Sequence, residues 1–395
     1  MSMILKRVCV TIMIAITLAL GGVMILSCSS FGTIPDVKDM SGIEKIPYYD
    51  KNQGKFINRR PGLIEDEMKK NIRFGSMMEW FKSREHGIPG EILPEVKPDM
   101  IEFTKISSRI KIIWFGHSSV LMNVSGKKIL IDPVFSGSAS PVGFMVKRFQ
   151  KPVLELSGLP EIDYIVISHD HYDHLDMQTM KFFKDKKAEF IVPPGVGSHL
   201  RGWGIGAGRI TELGWWEKTE RGDIDFIAAP SQHFSGRSFT QKNKTLWASW
   251  IISSRKEKIF FSGDSGYDIH FSEIGKKYGP FDLAFIETGQ YNEKWSTVHM
   301  LPHEAAQAYF DLGAKRYFPI HWGMFELALH PWFQPASDIA KEADSRGINL
   351  ITPLLGEMIT MDENLKTGRW WEPLTAGYQE MKDKNTKLVL TSENK

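Results

Sequence analysis

The sequence predicts an α/β sandwich, and three observations predict it. Short β-rich runs bounded by turn residues recur from about residue 108 onward. Amphipathic helical stretches fall between them, so strands and helices alternate over some 250 residues. The composition, 42% hydrophobic and 24% charged, is globular and excludes a disordered chain. At 395 residues the chain can hold one large α/β domain with appendages at either end. The formal net charge of +2, with no long basic stretch, gives no nucleic-acid footprint.

The first appendage is the N-terminus. A basic start, "MSMILKR", precedes 19 uncharged residues from Val8 to Leu26, and then "SCSS". An apolar segment behind a basic start reads as an export signal. Its length also allows an uncleaved anchor helix. The "ILSC" ending resembles the bacterial lipoprotein box, in which a small residue precedes a cysteine that becomes the lipidated first residue. That resemblance makes 1–27 a signal peptide and Cys28 the lipidation site. It implies an exported protein held in the membrane by its acyl chains, with Ser29 pointing to the outer membrane, facing the periplasm. Cleavage before Cys28 would remove Lys6 and Arg7 and no acid, taking the formal charge from +2 to 0. Past Cys28 there is no cysteine, so disulfides and thiolate metal sites are excluded there.

Residues 28–105 lack sustained periodicity and read as a tether and an extended arm packed on the main domain. One amphipathic helix is expected near "IEDEMKKNIRFGSMMEWFK". The main domain is expected over 106–365, followed by a C-terminal extension, 366–395. Nine runs in it predict strands: "IKIIWFG", "KKILIDPVF", "IDYIVIS", "AEFIVPP", "IDFIAAP", "LWASWIIS", "KIFFSGD", "FDLAFIE" and "RYFPIH". "DMQTMKFFKDKK" and "PHEAAQAYFDLGAK" predict helices, the second opening on Pro302 and stopping near Gly313.

The chemistry clusters where these strands end. "IDYIVIS" runs straight into "HDHYDH". In extended chain, residues two apart point the same way, so His169 and His171 can grip one ion. Asp173 and His174 then face a second, and Asp176 opens a helix where an acid is favourable. One loop cannot close two metal sites. Other strand ends supply His233, Asp264 and His321. Strand ends gathered at one sheet edge are where α/β proteins build sites.

These residues resemble the metallo-β-lactamase superfamily, whose His-x-His-x-Asp-His signature stands here as "HDHYDH". Over residues 108 to 360 the chain is most similar to the N-acyl-phosphatidylethanolamine phospholipase D branch, through "WFGHSSVLM", "IDPVFSGSASPVGFMVKRF", "PSQHFSGR", "FSGDSGYD" and "PIHWGMFELA"; "GKFIN" in the arm matches too. The resemblance implies a four-layer αβ/βα sandwich. It implies two zinc ions, one on His169, His171 and His233, the other on Asp173, His174 and His321, bridged by Asp264, with Asp173 and Asp264 serving catalysis as well. Imidazole and carboxylate ligands equally suit iron or manganese. Water activated by the metals would attack a phosphodiester, and no side-chain nucleophile is needed.

Three further residues are expected near the site. His117 either touches substrate or a ligand, or is a hydrogen-bonded core histidine. Asp132 either orients a metal ligand or caps the turn before Pro133. The branch has a histidine near the bound phosphate where His299 stands, although Val298 departs from its pattern. His86, His199, His270, His303 and His330 lack a partner motif and read as surface or packing residues. "GWGIGAGRI" reads as a loop, not a nucleotide site. Phe144, Met145, Lys147 and Arg148 suit either a loop at a lipid headgroup zone or a packed surface loop. The implied substrate is a phospholipid. The rival readings are a soluble phosphorylated lactone or cyclic phosphodiester, and a lipoprotein that binds lipid without turnover.

Overall fold

The computed structural model describes residues 29–35, 43, 46–71, 86–238, 240–362, 365–375 and 378. The expected signal segment, Cys28 and most of the C-terminal extension lie outside them. So does the end of the expected arm helix, whose described part is α1, Leu63–Asn71. Among the described residues no helix is long and apolar enough to cross a membrane.

A short hairpin, β1 (Tyr49–Asp50) and β2 (Lys55–Phe56), opens the described arm. Helix α2 (Met100–Thr104) then leads into the first sheet. That sheet contains β3 (Lys111–Trp114), β4 (Val120–Val124), β5 (Lys127–Ile131), β6 (Tyr164–Val166), β7 (Glu189–Val192), β8 (Ile210–Glu212) and, at its other edge beside β3, β15 (Met358–Thr360). From β5 to β8 the neighbours run parallel, and the rest are antiparallel.

The second sheet contains β9 (Lys218–Arg221), β10 (Ile224–Ala229), β11 (Ser249–Ser253), β12 (Lys258–Phe261), β13 (Leu283–Glu287) and β14 (Tyr317–Ile320). Its parallel half is β12 to β14. Helix α2, through Phe103, and two more, α3 (Met177–Phe182) and α4 (Val196–Gly202), cover the first sheet. Three, α5 (His270–Tyr278), α6 (Pro302–Leu312) and α7 (Gln334–Arg346), cover the second.

Strand side chains alternate between faces, and that alternation makes four layers. Ile112, Trp114, Ile129 and Ile131 of the first sheet meet Phe226, Trp250, Ile252 and Phe261 of the second in the central core. Their neighbours Ile113, Leu130 and Ile165 face outward, against Met180 and Leu200. On the other side Ile227, Ile251 and Phe260 face Phe271, Ala305 and Ile339. This is the expected αβ/βα sandwich, and all nine expected strands are present.

The expectations fell short at six strands, β1 and β2 of the arm and four in the main sheets, and at helices α2, α4, α5 and α7. β4, β8, β9 and β15 went unassigned: β8 and β9 are partly exposed and carry charge, so neither shows an apolar run. Helix α4, "VGSHLRG", has two glycines and little intrinsic propensity, and its burial decides its state. Helix α3 stops at Phe182, well short of the predicted stretch.

A candidate binuclear metal centre

Every sequence-predicted ligand sits just past a strand, at the edge where both sheets end. β3 leads to His117, β5 to Asp132, β6 to the His169–His174 loop, β10 to His233, β12 to Asp264 and β14 to His321. The two sheets are stitched there by a reciprocal pair: His117 N donates to Trp322 O (2.9 Å) and His321 N to His117 O (3.0 Å). His117, Asp132 and His321 all hold a left-handed backbone, with φ of 53°, 41° and 69°. Such strain in non-glycine residues persists only where the surroundings over-determine it.

One expected detail differs. Strand β6 stops at Val166, so His169 and His171 are not paired on an extended strand as predicted. They converge through a loop instead, with His169 Nε2 2.9 Å from His171 Nδ1. His233 Nε2 lies 3.3 Å from the same Nδ1, and Asp264 Oδ2 is 3.7 Å from both His169 Nε2 and His233 Nε2. On the other side Asp173 Oδ2 lies 3.4 Å from His174 Nε2 and 3.2 Å from His321 Nε2. Asp264 reaches across, with Oδ1 3.2 Å from His174 Nε2 and Oδ2 3.1 Å from His321 Nε2.

Two four-residue sets result, each with ligand atoms within 4.8 Å of one another: His169, His171, His233 and Asp264; and His117, Asp173, His174 and His321. His174 Nε2 and Asp264 Oδ1 are sealed from solvent, face each other, and have no hydrogen-bond partner among the described residues. Buried donors and acceptors left without partners are costly. A cation between the imidazole and carboxylate atoms would satisfy them. The donor set therefore fits a divalent metal, of the nitrogen and oxygen type.

The electrostatics divide the ligands. Burial lowers every one of these histidines, but Asp264 and Asp173 outweigh it at His174, held well above its ordinary value, and at His321, raised to about 10, so a cation there would have to displace a proton from each. Burial raises the Asp173 and Asp264 carboxyls, yet His174 and the histidines around it hold both well below the usual range. Burial, with His174 adding, drives His169 well below its ordinary value, so it is neutral and able to ligate. His233 is also buried into neutrality.

Behind the ligands stands a layer of orienting groups. Asp132 is fully buried; its Oδ2 accepts from His174 Nδ1 (2.8 Å) and Ser168 Oγ (2.6 Å), and its Oδ1 from Ser168 N (2.7 Å). It thus orients a ligand and is not a simple turn cap. Burial, then His321, pushes His117 down to about 3, so its ring is neutral. Its Nε2, 2.9 Å from Asp173 Oδ2, must carry the proton and donate it. Asp176 caps α3, accepting from Gln178 N (3.1 Å). Gly263, φ 56°, lies so close to the loop that a Cβ would stand 2.6 Å from Ser168 Cβ. Only glycine lets Asp264 approach.

Four supporting residues escaped the sequence reading. Asp170, inside the signature, accepts from Thr245 Oγ1 (2.8 Å) and Gly236 N (2.7 Å) and faces His199 Nε2 at 3.3 Å. Burial opposes its charge, but the His199 bond and its companions hold it down to about 2. His199 is therefore a buried brace of the metal loop, not a surface residue. Arg237 Nη1 donates to Asp170 O (2.7 Å) and Leu175 O (2.8 Å), clamping both ends of that loop. Asn58 of "GKFIN" exchanges two hydrogen bonds with the His233 backbone, at 2.8 and 3.2 Å.

The fourth is Glu287, at the end of β13. It is buried, raised by that burial, and accepts from Met300 N (2.8 Å) and His299 Nδ1 (3.0 Å). Asp264, Glu287, His299 and His321 form a third close set. The rule that singled out Asp264, an acid closing an apolar strand run, also fits Glu287. His299 stands between His233 and His321, ring centroids 5.2 and 5.0 Å away, and is the more open of the three.

A four-layer αβ/βα sandwich with these two ligand sets at its strand ends defines a metal-dependent hydrolase. A family model described as a beta-lactamase superfamily domain matches residues 127–322. The chain is 36% identical over 335 residues to an uncharacterised Mycobacterium tuberculosis protein, covering 83% of this chain and 88% of the relative. It is 34% identical over 263 residues to the N-acyl-phosphatidylethanolamine-hydrolyzing phospholipase D 1 of Caenorhabditis elegans, covering 62% and 74%. Among solved structures it resembles Igni18, a metallo hydrolase from Ignicoccus hospitalis, with TM-score 0.51 and 19% identity over 66% of this chain and all of that one. The chain belongs to the metallo-β-lactamase superfamily.

Proposed function

We propose that this protein is a binuclear zinc phosphodiesterase that cleaves N-acyl-phosphatidylethanolamine on the headgroup side, giving phosphatidic acid and an N-acylethanolamine. The observation that carries the reading is the complete set of seven imidazole and carboxylate ligands, brought together without a thiol, in a chain similar to a phospholipase D of that substrate. His169, His171 and His233 would hold one ion, Asp173, His174 and His321 the other, and Asp264 both. Bound there, the metals would lower the pKa of a coordinated water and neutralise charge on the phosphoryl oxygens.

The chain's own residues do the positioning. His117 and Asp132 fix the direction of Asp173 and His174. Glu287 fixes the Nδ1 side of His299 and leaves the rest of that ring to meet a phosphate oxygen. The proposed setting is a hydrolase domain over 106–365, carried by a tether and arm over 28–105 and tied to a bacterial outer membrane through a lipidated Cys28.

The test uses the full-length chain loaded with zinc and N-acyl-phosphatidylethanolamine in mixed micelles, with products followed by mass spectrometry beside a His169→Ala chain. N-acylethanolamine and phosphatidic acid appearing only with the intact site support the reading. No product with two equivalents of zinc bound overturns the substrate and favours a soluble phosphodiester or lactone.

A further inference from the structure

The strap Ser29–Ser30 and loop residues 136–138 and 140–144 line one groove of about 610 Å³, together with Tyr172, Lys181 and Arg237. The loop is a built feature. Ala139 N donates to Val146 O (3.0 Å) and Arg148 N to Gly137 O (3.0 Å), closing it like a hairpin. Arg148 does not face a headgroup zone. It turns inward, where Nη1 donates to Val134 O (2.7 Å) and the guanidinium lies over Phe325, pinning the base. Val146, at φ 44°, kinks the chain at the tip. The tip holds two consecutive large apolar side chains in water: Phe144 is 69% exposed and Met145 51%. Exposed Lys147 and Lys181 flank them, and neither has an ion-pair partner among the described residues.

The start of the described chain is tied to the same place. Arg237 Nε donates to Ser30 O (2.9 Å) and Trp203 Nε1 to Ser29 O (2.9 Å). A Cβ on Gly32 (φ 71°) would stand 2.2 Å from His199 Nδ1, so the strap lies directly on the brace of the metal loop. Cys28 is one peptide, about 3.8 Å between Cα atoms, before Ser29. An attachment at Cys28 itself would therefore sit at the mouth of this groove.

We propose that the Phe144–Met145 tip, its flanking lysines and the groove beside Ser29 form a docking surface for a phospholipid bilayer. This rests on the reading that residues 1–28, with their uncharged stretch from Val8 to Leu26, tether the chain to a membrane. Two adjacent apolar side chains beside unpaired cations match the acyl boundary and the anionic headgroups above it. Ile106, 85% exposed, lies beside Gly126, at the opposite end of β5 from Asp132, and serves as the comparison. Tyr172, inside the metal-ligand signature, also lines the groove, so docking here would bring the bilayer beside the metal loop.

The experiment places photoreactive p-benzoylphenylalanine at position 144 or at position 106 of the full-length chain. Each protein is mixed with vesicles of phosphatidylethanolamine and phosphatidylglycerol, irradiated, and searched for phospholipid adducts by mass spectrometry. The expected result is about tenfold more adduct at 144 than at 106, as for one side chain in the acyl boundary and one in water. Equal or lower yield at 144 overturns the docking surface. Retention of the chain through an alkaline carbonate wash reports the tether separately. A chain that washes off yet crosslinks at 144 keeps the surface and loses the tether.

Discussion

Asp132 and His174 are both sealed from solvent, and their side chains meet at 2.8 Å through Oδ2 and Nδ1. The bond leaves Nε2, on the far side of the ring, facing Asp264 and the centre of the site. A ligand histidine held in this way keeps one tautomer and one orientation, and such outer partners are typically worth about 10–100-fold in metal affinity. Asp132→Asn should lower affinity by that order. The amide cannot accept at both oxygens, so either Ser168 or His174 loses its partner. Chelator competition with the purified variant measures it; unchanged affinity would reduce Asp132 to a role in the fold.

Metal removal gives a second test. The two ligand sets bring two carboxylates and six imidazoles into one space, and a cation bound to the native state alone stabilises it by mass action. Adding zinc to chelated protein should raise Tm, by the order of 4 kcal/mol of stabilisation at a thousandfold excess over Kd. Asp264→Ala should blunt the rise from both sides, because its carboxylate touches both sets. Calorimetry with and without zinc checks both statements.

The sequence made the core of the site legible because metal ligation demands few residue types at strand ends, and those types are conspicuous there. His233, Asp264 and His321 each follow an apolar run, and the structure gathers them at one edge. Asn58, Asp170 and Arg237 were not legible. Asn58 and Arg237 work through backbone groups, and Asp170 through Gly236 N, Thr245 and His199 from distant parts of the chain, so no residue type announces them. His199 is a packing residue, one of its two expected readings, but its contact with Asp170 was not legible, since burial there depends on how α4 packs and not on its neighbours in sequence. The direction of Arg148 was equally a matter of tertiary packing: its partners, Val134 O and Phe325, come from distant parts of the chain.

Asn58 provides a test of the arm. Its amide gives one hydrogen bond to His233 O and takes one from His233 N. Asn58→Ala leaves both half-buried backbone groups short of a partner, at about 1–3 kcal/mol where water cannot replace it. We expect a lower Tm and weaker zinc binding, confined to the ion held by His233, so that a chelator titration becomes biphasic. A uniform loss of both ions would mean that the arm supports the whole domain instead of one ligand.

Acid stability isolates a group away from the metals. His270 is fully buried beside Ser265 Oγ (3.1 Å), and burial, then Arg59, pushes it down to about 3. Its folded pKa lies below its unfolded value near 6.5, so the unfolded chain binds the extra proton first. The stability this neutral ring contributes is complete above pH 6.5 and is lost as pH falls from there toward 3, at up to about 1.4 kcal/mol per pH unit. Urea midpoints at pH 7.5 and 5 should fall less in His270→Gln than in the wild type. An identical fall would assign the acid sensitivity elsewhere.

Glu287 poses the sharpest choice. Its carboxylate lies within reach of the metal-ligand set through Asp264 and His321, yet both its oxygens are engaged, by Met300 N and His299 Nδ1. If it orients His299, Glu287→Ala should keep two equivalents of zinc and lower kcat/KM on a phosphodiester by about 10–100-fold, the usual cost of losing an orienting partner. His299→Ala should then cost a similar factor, and the double variant little more, because both remove one unit. If Glu287 is itself a ligand, zinc content falls with the single substitution while His299→Ala leaves it intact. The hydrogen-bond geometry favours the first outcome, since each carboxylate oxygen already points at an N–H group, Oε1 at Met300 N and Oε2 at His299 Nδ1.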